Sequence, residues 1–427
     1  MEDKIMKLKI ITFSLVILTI IAFSGCENTV SDLQPSVIST KEPYTAFDEP
    51  SSVTRLSFPS TVWERPTVYD APELNYKNVK AIYYKILDYK SKETRAFAYI
   101  GYPEDASASN KKPAVVLVHG GGGVAYPQWV EEWVKRGYIA IAMDTEGNIP
   151  VNPGVNDVRK RQSFGGPSNP SYSNIKSVIE EQWMYQAVAD VYIAHSLLAN
   201  DEMVDPLKIG IVGISWGGLV TSIAISNADC FAFAVPIYGC GYLSGSHANF
   251  GKVYNTAVAK MWDASNWLRT TKTPVLWVDG DADPHFSADA ISNSALNTKN
   301  STLSIKPGLL HGHGIGWSIT ETYAFADSIV KGSSPLIKIT KQPTVENSTV
   351  EFTAHKDVSV ESCKLYYRTS PIKYDSKNNL IDGWEFKILD INENSIAFVI
   401  PPDTKAFYVV LNDNRGYTVS TSVIEIG

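Results

Sequence analysis

Cysteine is scarce, with four in 427 residues. Three of them, Cys230, Cys240 and Cys363, are too few for the disulfide scaffold of a small secreted domain. Cys230 and Cys240 flank the apolar run FAFAVPIYG, which reads as a buried strand. Ten extended residues separate Cα atoms by about 30 Å, and a disulfide needs less than about 7 Å. No bridge is therefore expected between these two unless the segment folds back. A basic excess is also missing: 38 Lys and Arg stand against 45 Asp and Glu, for a net charge of −7. That balance gives no reason to expect a nucleic-acid partner. No internal repeat is visible. No run of about 20 apolar residues, enough to span a bilayer as a helix, occurs; IITFSLVILTIIAF, ending at Phe23, stops at 14. What is present is a hydrophobic content of 44% and an aromatic content of 11%. These argue for packed globular structure. The length exceeds one ordinary domain, so two domains and a leader are expected.

The leader comes first. Lys4, Lys7 and Lys9 precede the 14-residue apolar run, and FSGC follows it, ending at Cys26. This is the layout of a secretory signal. FSGC resembles a bacterial lipoprotein cleavage box, with Phe23 where that box usually carries Leu. The resemblance implies that residues 1–26 are a lipoprotein signal peptide and that Cys26 is lipidated. It also implies export and anchoring to the bacterial cell envelope, periplasmic or outer-membrane surface, with membrane contact through the anchor only. A plain signal peptide with an incidental cysteine is the alternative. Residues 27–75, rich in Ser, Thr, Pro and acids, read as a tether and then an arm packed on the next domain.

Over residues 76–332 strand and helix signals alternate. AIYYKILDY and RAFAYIGYP read as opening strands, PAVVLVHG as a continuous apolar, buried parallel strand. IEEQWMYQAVADVYIAHSLLA reads as a long helix. The strands YIAIAMD, KIGIVG, FAFAVPIYG, PVLWVDG and TLSIKPG are interleaved with further helices. This predicts an α/β fold with a doubly wound, mostly parallel sheet. A polar, Gly- and Pro-rich insertion over about 145–175 follows a strand end and is a candidate cap. Residues 335–427 carry only short strand-like segments, seven of them, and predict an all-β sandwich of immunoglobulin or fibronectin-III type.

The chemistry centres on GISWGG, residues 213–218. A serine on a tight turn between strand and helix needs small neighbours, and Gly213 and Gly217 supply them. This is the G-x-S-x-G nucleophile elbow in the strand–turn–helix context it requires. Ser215 is the candidate nucleophile. A hydroxyl is a weak nucleophile, so a base and an orienting acid are needed, in the order Ser, acid, His. GDADP ends a later strand and points to Asp283, with Asp279 and Asp281 as alternatives that read as turn-forming or solvent-facing. PGLLHGHGIGW follows the last strand and offers His313, the favoured base, and His311, its alternative. His119 reads as a loop anchor, and His195 and His285 as structural or surface residues. The oxyanion needs two N–H donors. Trp216, after the nucleophile, gives one, and VHGGGG (118–123) offers Gly121 or Gly122 for the other. Trp216 and Trp317 are candidates for stacking on a sugar, internal packing being the competing reading. Neither a metal nor a cofactor is required.

Taken together, KKPAVVLVHGG, GISWGGLV and GDADP resemble the α/β-hydrolase superfamily, specifically its acetyl-xylan-esterase and prolyl-oligopeptidase-related branches. GHGIG is similar to the histidine loop of the latter, and PGLLHG to that of dienelactone-hydrolase-like enzymes. The peptidases of that branch carry a β-propeller before the hydrolase domain, and fewer than about 120 residues precede the core here, too few for one. The resemblance therefore implies a serine esterase acting on acylated carbohydrate or another small ester, in a lipoprotein similar to the polysaccharide-degrading ones of Bacteroidetes. A serine exopeptidase and a non-catalytic glycan-binding lipoprotein are the alternatives.

Overall fold

The computed structural model describes residues 53–154, 158–168 and 170–427. The signal segment and Cys26 lie outside them, as does most of the tether. All described residues fall in one compact unit.

A nine-stranded sheet forms the centre. Its strands are β1 (Val68–Asp70), β2 (Lys80–Lys85), β3 (Arg95–Gly101), β4 (Lys112–Val118), β5 (Ile139–Met143), β8 (Val204–Ile214), β9 (Ala234–Ile237), β10 (Val275–Gly280) and β11 (Ser301–Lys306). A two-stranded hairpin, β6 (Asn148–Pro150) with β7 (Arg159–Arg161), lies in the 145–175 insertion. The order is β1-β2-β3-β5-β4-β8-β9-β10-β11. The first three strands pair antiparallel and β4 onward pair in parallel. The large, mostly parallel central sheet is the one the alternating strands and helices predict. The parallel strands read as unbroken apolar runs because both faces are covered: β5 and β10 are buried at every residue.

The helices are α1 (Pro127–Val134), α2 (Trp183–Ala199), α3 (Trp216–Asn227), α4 (Asn249–Val253), α5 (Thr256–Trp262), α6 (Ala288–Leu296), α7 (His313–Gly316) and α8 (Thr320–Val330). The long helix begins later than the sequence suggests, because residues 179–181 form a 3-10 turn instead. Apart from Ala199, every residue of α2 is buried. Its outer face is covered by the N-terminal arm: Phe58 stacks on Tyr185 at 4.6 Å, Trp63 lies 4.8 Å from Tyr192, and Ser196 Oγ donates to Val62 O at 2.8 Å. That cover explains a helix buried all round. Each fully buried Leu, Ile or Val in it is worth about 1.5–3 kcal/mol.

The chain order sets the site. From β4 the chain turns outward to β5 and then returns across β4 to β8. The strand order therefore reverses between β4 and β8, and ligands in open α/β sheets bind outside the carboxyl ends of the strands at such a point. The residues just past β4 are the glycine run, and just past β8 is Ser215.

The C-terminal region has eight strands rather than seven: β12 (Lys338–Lys341), β13 (Thr349–Thr353), β14 (Val360–Arg368), β15 (Glu385–Ile388), β16 (Ser395–Ala397), β17 (Ala406–Asp413), β18 (Thr418–Ser420) and β19 (Ile424–Glu425). The last segment read as one strand breaks into two. They form two antiparallel sheets, β12-β13-β16 and β15-β14-β17-β18, with β19 pairing to β17. This region packs on the edge strand β11: Ile305 N–H donates to Ser420 Oγ at 2.9 Å, and Thr418 N–H donates to Glu321 of α8 at 2.8 Å. Cys230, Cys240 and Cys363 are free thiols.

Candidate active site

Ser215 sits between β8 and α3 with φ 58° and ψ −118°, a left-handed backbone that non-glycine residues rarely adopt. The neighbours make that turn possible. A Cβ on Gly213 would lie 2.1 Å from Gly217 O, and one on Gly217 would lie 2.1 Å from Val118 O. Neither position admits a side chain. Ser215 N–H donates to Ile237 O at 2.8 Å, tying the elbow to the neighbouring strand. The serine is half-buried rather than sealed in the core.

The base is His311. Its Nε2 lies 3.0 Å from Ser215 Oγ, and its Nδ1 lies 2.6 Å from Asp283 Oδ2. The network assigns the tautomer: Nδ1–H donates to the carboxylate, and Nε2 accepts from the hydroxyl. Asp283 is fully buried, and its Oδ1 accepts the N–H groups of His285 and Phe286 at 2.8 and 2.9 Å. Those bonds fix the carboxylate, which fixes the imidazole.

His313, the favoured base in the sequence, is therefore corrected to His311. Residues 309–312 leave β11 without helical structure, and α7 begins only at His313. This places His311 toward the acid and carries His313 past it to the glycine run. There His313 Nε2 accepts the N–H of Gly120 at 2.9 Å. Sequence reasoning missed Tyr238, whose O–H donates to Leu310 O at 3.0 Å and whose ring lies 4.7 Å from His311. Its φ of 53°, just past a strand end, has no signature in the residue order.

The glycine run is held from several sides. His119 Nδ1–H donates to Gly120 O at 2.7 Å, and its Nε2 lies 3.4 Å from Asp144 Oδ1. Burial disfavours the charged ring, but the Asp144 and Glu146 carboxylates outweigh it and raise its pKa. Its role as a loop anchor agrees with the sequence reading. Gly122 does not serve as an oxyanion donor, a second correction: its N–H already donates to Glu146 Oε1 at 2.9 Å. Glu146 is itself fully buried and paired with Arg159 at 2.9 Å. Burial pushes its pKa up, and Arg159 opposes that. Gly121 instead packs against Trp216, where a Cβ would come within 2.4 Å of the indole.

Of the two tryptophans, Trp216 packs against Tyr172, Trp183 and Phe250 at 5.1–5.5 Å. Trp317 lies 5.1 Å from Tyr126 and 6.2 Å from Trp129. Trp317 packs on these rings while staying half-buried, and it lines a groove with Tyr76, Gln128 and Arg136 rather than with Ser215. Asp279 and Asp281 do not face solvent either: they are 0% and 6% exposed. Asp281 accepts from Gly308 N–H and Tyr408 O–H, each at 2.9 Å. Among the described residues His247, Asp289 and Glu425 bring ligand atoms within 4.8 Å of one another. His247 and Glu425 already pair at 3.2 Å, and none of the three touches Ser215, His311 or Asp283 through a hydrogen bond.

Residues 97–314, just over half the chain, match the model of the dienelactone hydrolase family. The chain belongs to the dienelactone hydrolase family. Solved structures similar to this hydrolase include an acetyl xylan esterase from Paenibacillus sp. R4, 18% identical, with 62% of this chain and 88% of that one covered at a TM-score of 0.49. Acetyl xylan esterase 1 from Thermoanaerobacterium sp. JW/SL YS485 is 14% identical, with 61% and 86% covered and a TM-score of 0.47. The Pyrococcus horikoshii acylaminoacyl peptidase is 16% identical, with 60% and 42% covered and a TM-score of 0.45. No curated protein matches the sequence.

Proposed function

We propose that this hydrolase is a serine esterase that removes acyl groups, acetyl foremost, from polysaccharide or oligosaccharide. The observation that carries the reading is the continuous chain Ser215 Oγ–His311 Nε2 at 3.0 Å and His311 Nδ1–Asp283 Oδ2 at 2.6 Å. His311 takes the hydroxyl proton as Ser215 Oγ attacks the ester carbonyl. Asp283 holds the tautomer and stabilises the imidazolium. Trp216 N–H, at the first turn of α3, and Gly121 N–H receive the oxyanion, aided by the positive end of that helix. His311 then returns the proton to the departing sugar hydroxyl. Water, deprotonated by the same imidazole, attacks the acyl-serine and frees the carboxylic acid.

In this reading the two C-terminal sheets are an immunoglobulin- or fibronectin-III-like sandwich. Residues 1–26 direct export, and lipid on Cys26 anchors the enzyme to the cell envelope. The purified protein should hydrolyse p-nitrophenyl acetate and release acetate from acetylated polysaccharide, and Ser215→Ala should abolish both. A fluorophosphonate should label the wild type and not the variant. Turnover of aminoacyl-nitroanilides in preference to the acetyl ester would replace the esterase with a peptidase. Absence of labelling would leave a glycan-binding protein.

A further inference from the structure

Asp279 is the last-but-one residue of β10, fully buried beside the acid turn. Its Oδ1 accepts the Gly280 N–H at 2.8 Å. Its Oδ2 is shielded from solvent and receives no hydrogen bond from any donor. Its carboxyl lies in side-chain contact with the carboxyl of Asp283. A buried polar atom without a partner calls for an explanation.

We propose that Asp279 is a positioning residue of the triad, a neutral carboxylic acid whose O–H donates to the Asp283 carboxylate. The proposal rests on the triad assigned above. Two carboxyl groups in contact within a dry interior do not both ionise. The donors decide which keeps the proton. Asp283 receives three, from His285, Phe286 and His311, which suit a carboxylate. Asp279 receives one. The groups facing Asp279 offer no cation. They are Asp281, the fully buried thiol of Cys240, and the phenols of Tyr238 and Tyr374. His285, near Asp283, is held neutral by burial and by His311, which both push its pKa down. Burial first, and then Asp283, push the Asp279 pKa well above the usual carboxylate range. With the proton on Oδ2, the partnerless oxygen becomes a donor and Asp283 the acceptor in reach. The bond fixes the rotation of Asp283 so that its own Oδ2 meets His311. It also draws charge from the carboxylate, which moderates the basicity of the imidazole.

The two charge states of Asp279 give opposite outcomes. The measurement is kcat/KM against pH on p-nitrophenyl acetate for the wild type, Asp279→Asn and Asp279→Ala. A neutral acid is mimicked by Asn, so Asp279→Asn should keep activity within about threefold and leave the acid limb in place. Asp279→Ala removes the donor, leaves Asp283 more strongly charged against the imidazolium, and should move the acid limb to higher pH. A downward move of about one unit in Asp279→Asn would mean that a negative charge had been removed, and would overturn the proposal. An Asp279→Ala profile identical to wild type would also overturn it. Infrared difference spectra between wild type and Asp279→Asn at neutral pH test the protonation without turnover. A carboxylic-acid C=O band present only in the wild type is expected, and a carboxylate band in its place would refute the idea. An inactive wild type that shows the band would count against the esterase reading and not against this one.

Discussion

Exchanging the two histidines of one loop separates the chemistry from the architecture. His311 contacts both Ser215 Oγ and Asp283, at 3.0 and 2.6 Å. His311→Ala removes the base and strands a buried carboxylate. A positioned general base supplies about 10²–10⁴-fold, and members of a triad act as a unit, so the loss in kcat should reach about 10³-fold or more. His313 makes a different contact. It accepts the Gly120 N–H at 2.9 Å, beside the serine. His313→Ala leaves that amide unpaired, at about 1–3 kcal/mol. That is a cost to stability; with Ser215, His311 and Asp283 left in contact, kcat/KM should fall by less than about tenfold, about 1.36 kcal/mol on the barrier. His313 is only half-buried, so water can reach the vacated amide and the cost should fall at the low end. The assay is kcat/KM on p-nitrophenyl acetate, with the fluorophosphonate labelling rate as a second reading of Ser215 nucleophilicity. The reasoning fails if the His313 variant is as impaired as the His311 variant. It fails equally if His311→Ala keeps more than about a hundredth of wild-type kcat.

Two further outcomes follow from buried carboxyl groups. Asp281→Ala strands the Gly308 N–H and the Tyr408 O–H, at about 1–3 kcal/mol each. Urea unfolding should show a loss of about 2–5 kcal/mol, with Tyr408→Phe costing less, and a loss under about 0.5 kcal/mol would contradict the assignment. Asp190, in α2, is 4% exposed, and burial followed by Asp144 raises its pKa well above the usual range. A raised acid favours folding most below its unfolded pKa, near 3.9, and loses that contribution as pH rises. Asp190→Asn should therefore raise Tm at pH 8 and not at pH 4; an equal shift at both values would refute the linkage.

How much of this was legible in the residue order varies with the range of the contact. Ser215 was readable because the elbow is local: strand, Gly213, serine, Gly217 and helix all lie within residues 204–227. Asp283 was readable because the acid turn ends a strand visible as PVLWVDG. His311 and His313 share one loop, and the choice depends on where the chain leaves β11 relative to Asp283, in the turn after the neighbouring strand β10. That is a three-dimensional register, and GHGIG and PGLLHG describe only the loop. Gly122 failed for a similar reason. The carboxylate that takes its N–H is Glu146, in the polar insertion 24 residues further along the chain. Trp317 was not decided by the residue order, because an aromatic beside such a loop packs on Tyr126 and Trp129 as readily as it faces a ligand. The N-terminal arm was expected to pack, and it covers α2.

The C-terminal region offers no catalytic group of its own, yet its contacts converge on the loops that carry two. Asp281 lies two residues before Asp283. Its carboxylate accepts from Tyr408 and from Gly308, the latter at the start of the histidine loop, and its carbonyl accepts the Trp384 indole N–H at 3.0 Å. One buried aspartate thus ties the acid turn, the histidine loop and the β-rich region together. The same region covers β11, whose outer edge would otherwise present unpaired backbone groups next to the segment that positions His311. A module held by a linker would need none of these bonds. Because acyl-transfer chemistry tolerates only small displacements between nucleophile, base and acid, bracing those two loops would hold the proposed base and acid in register.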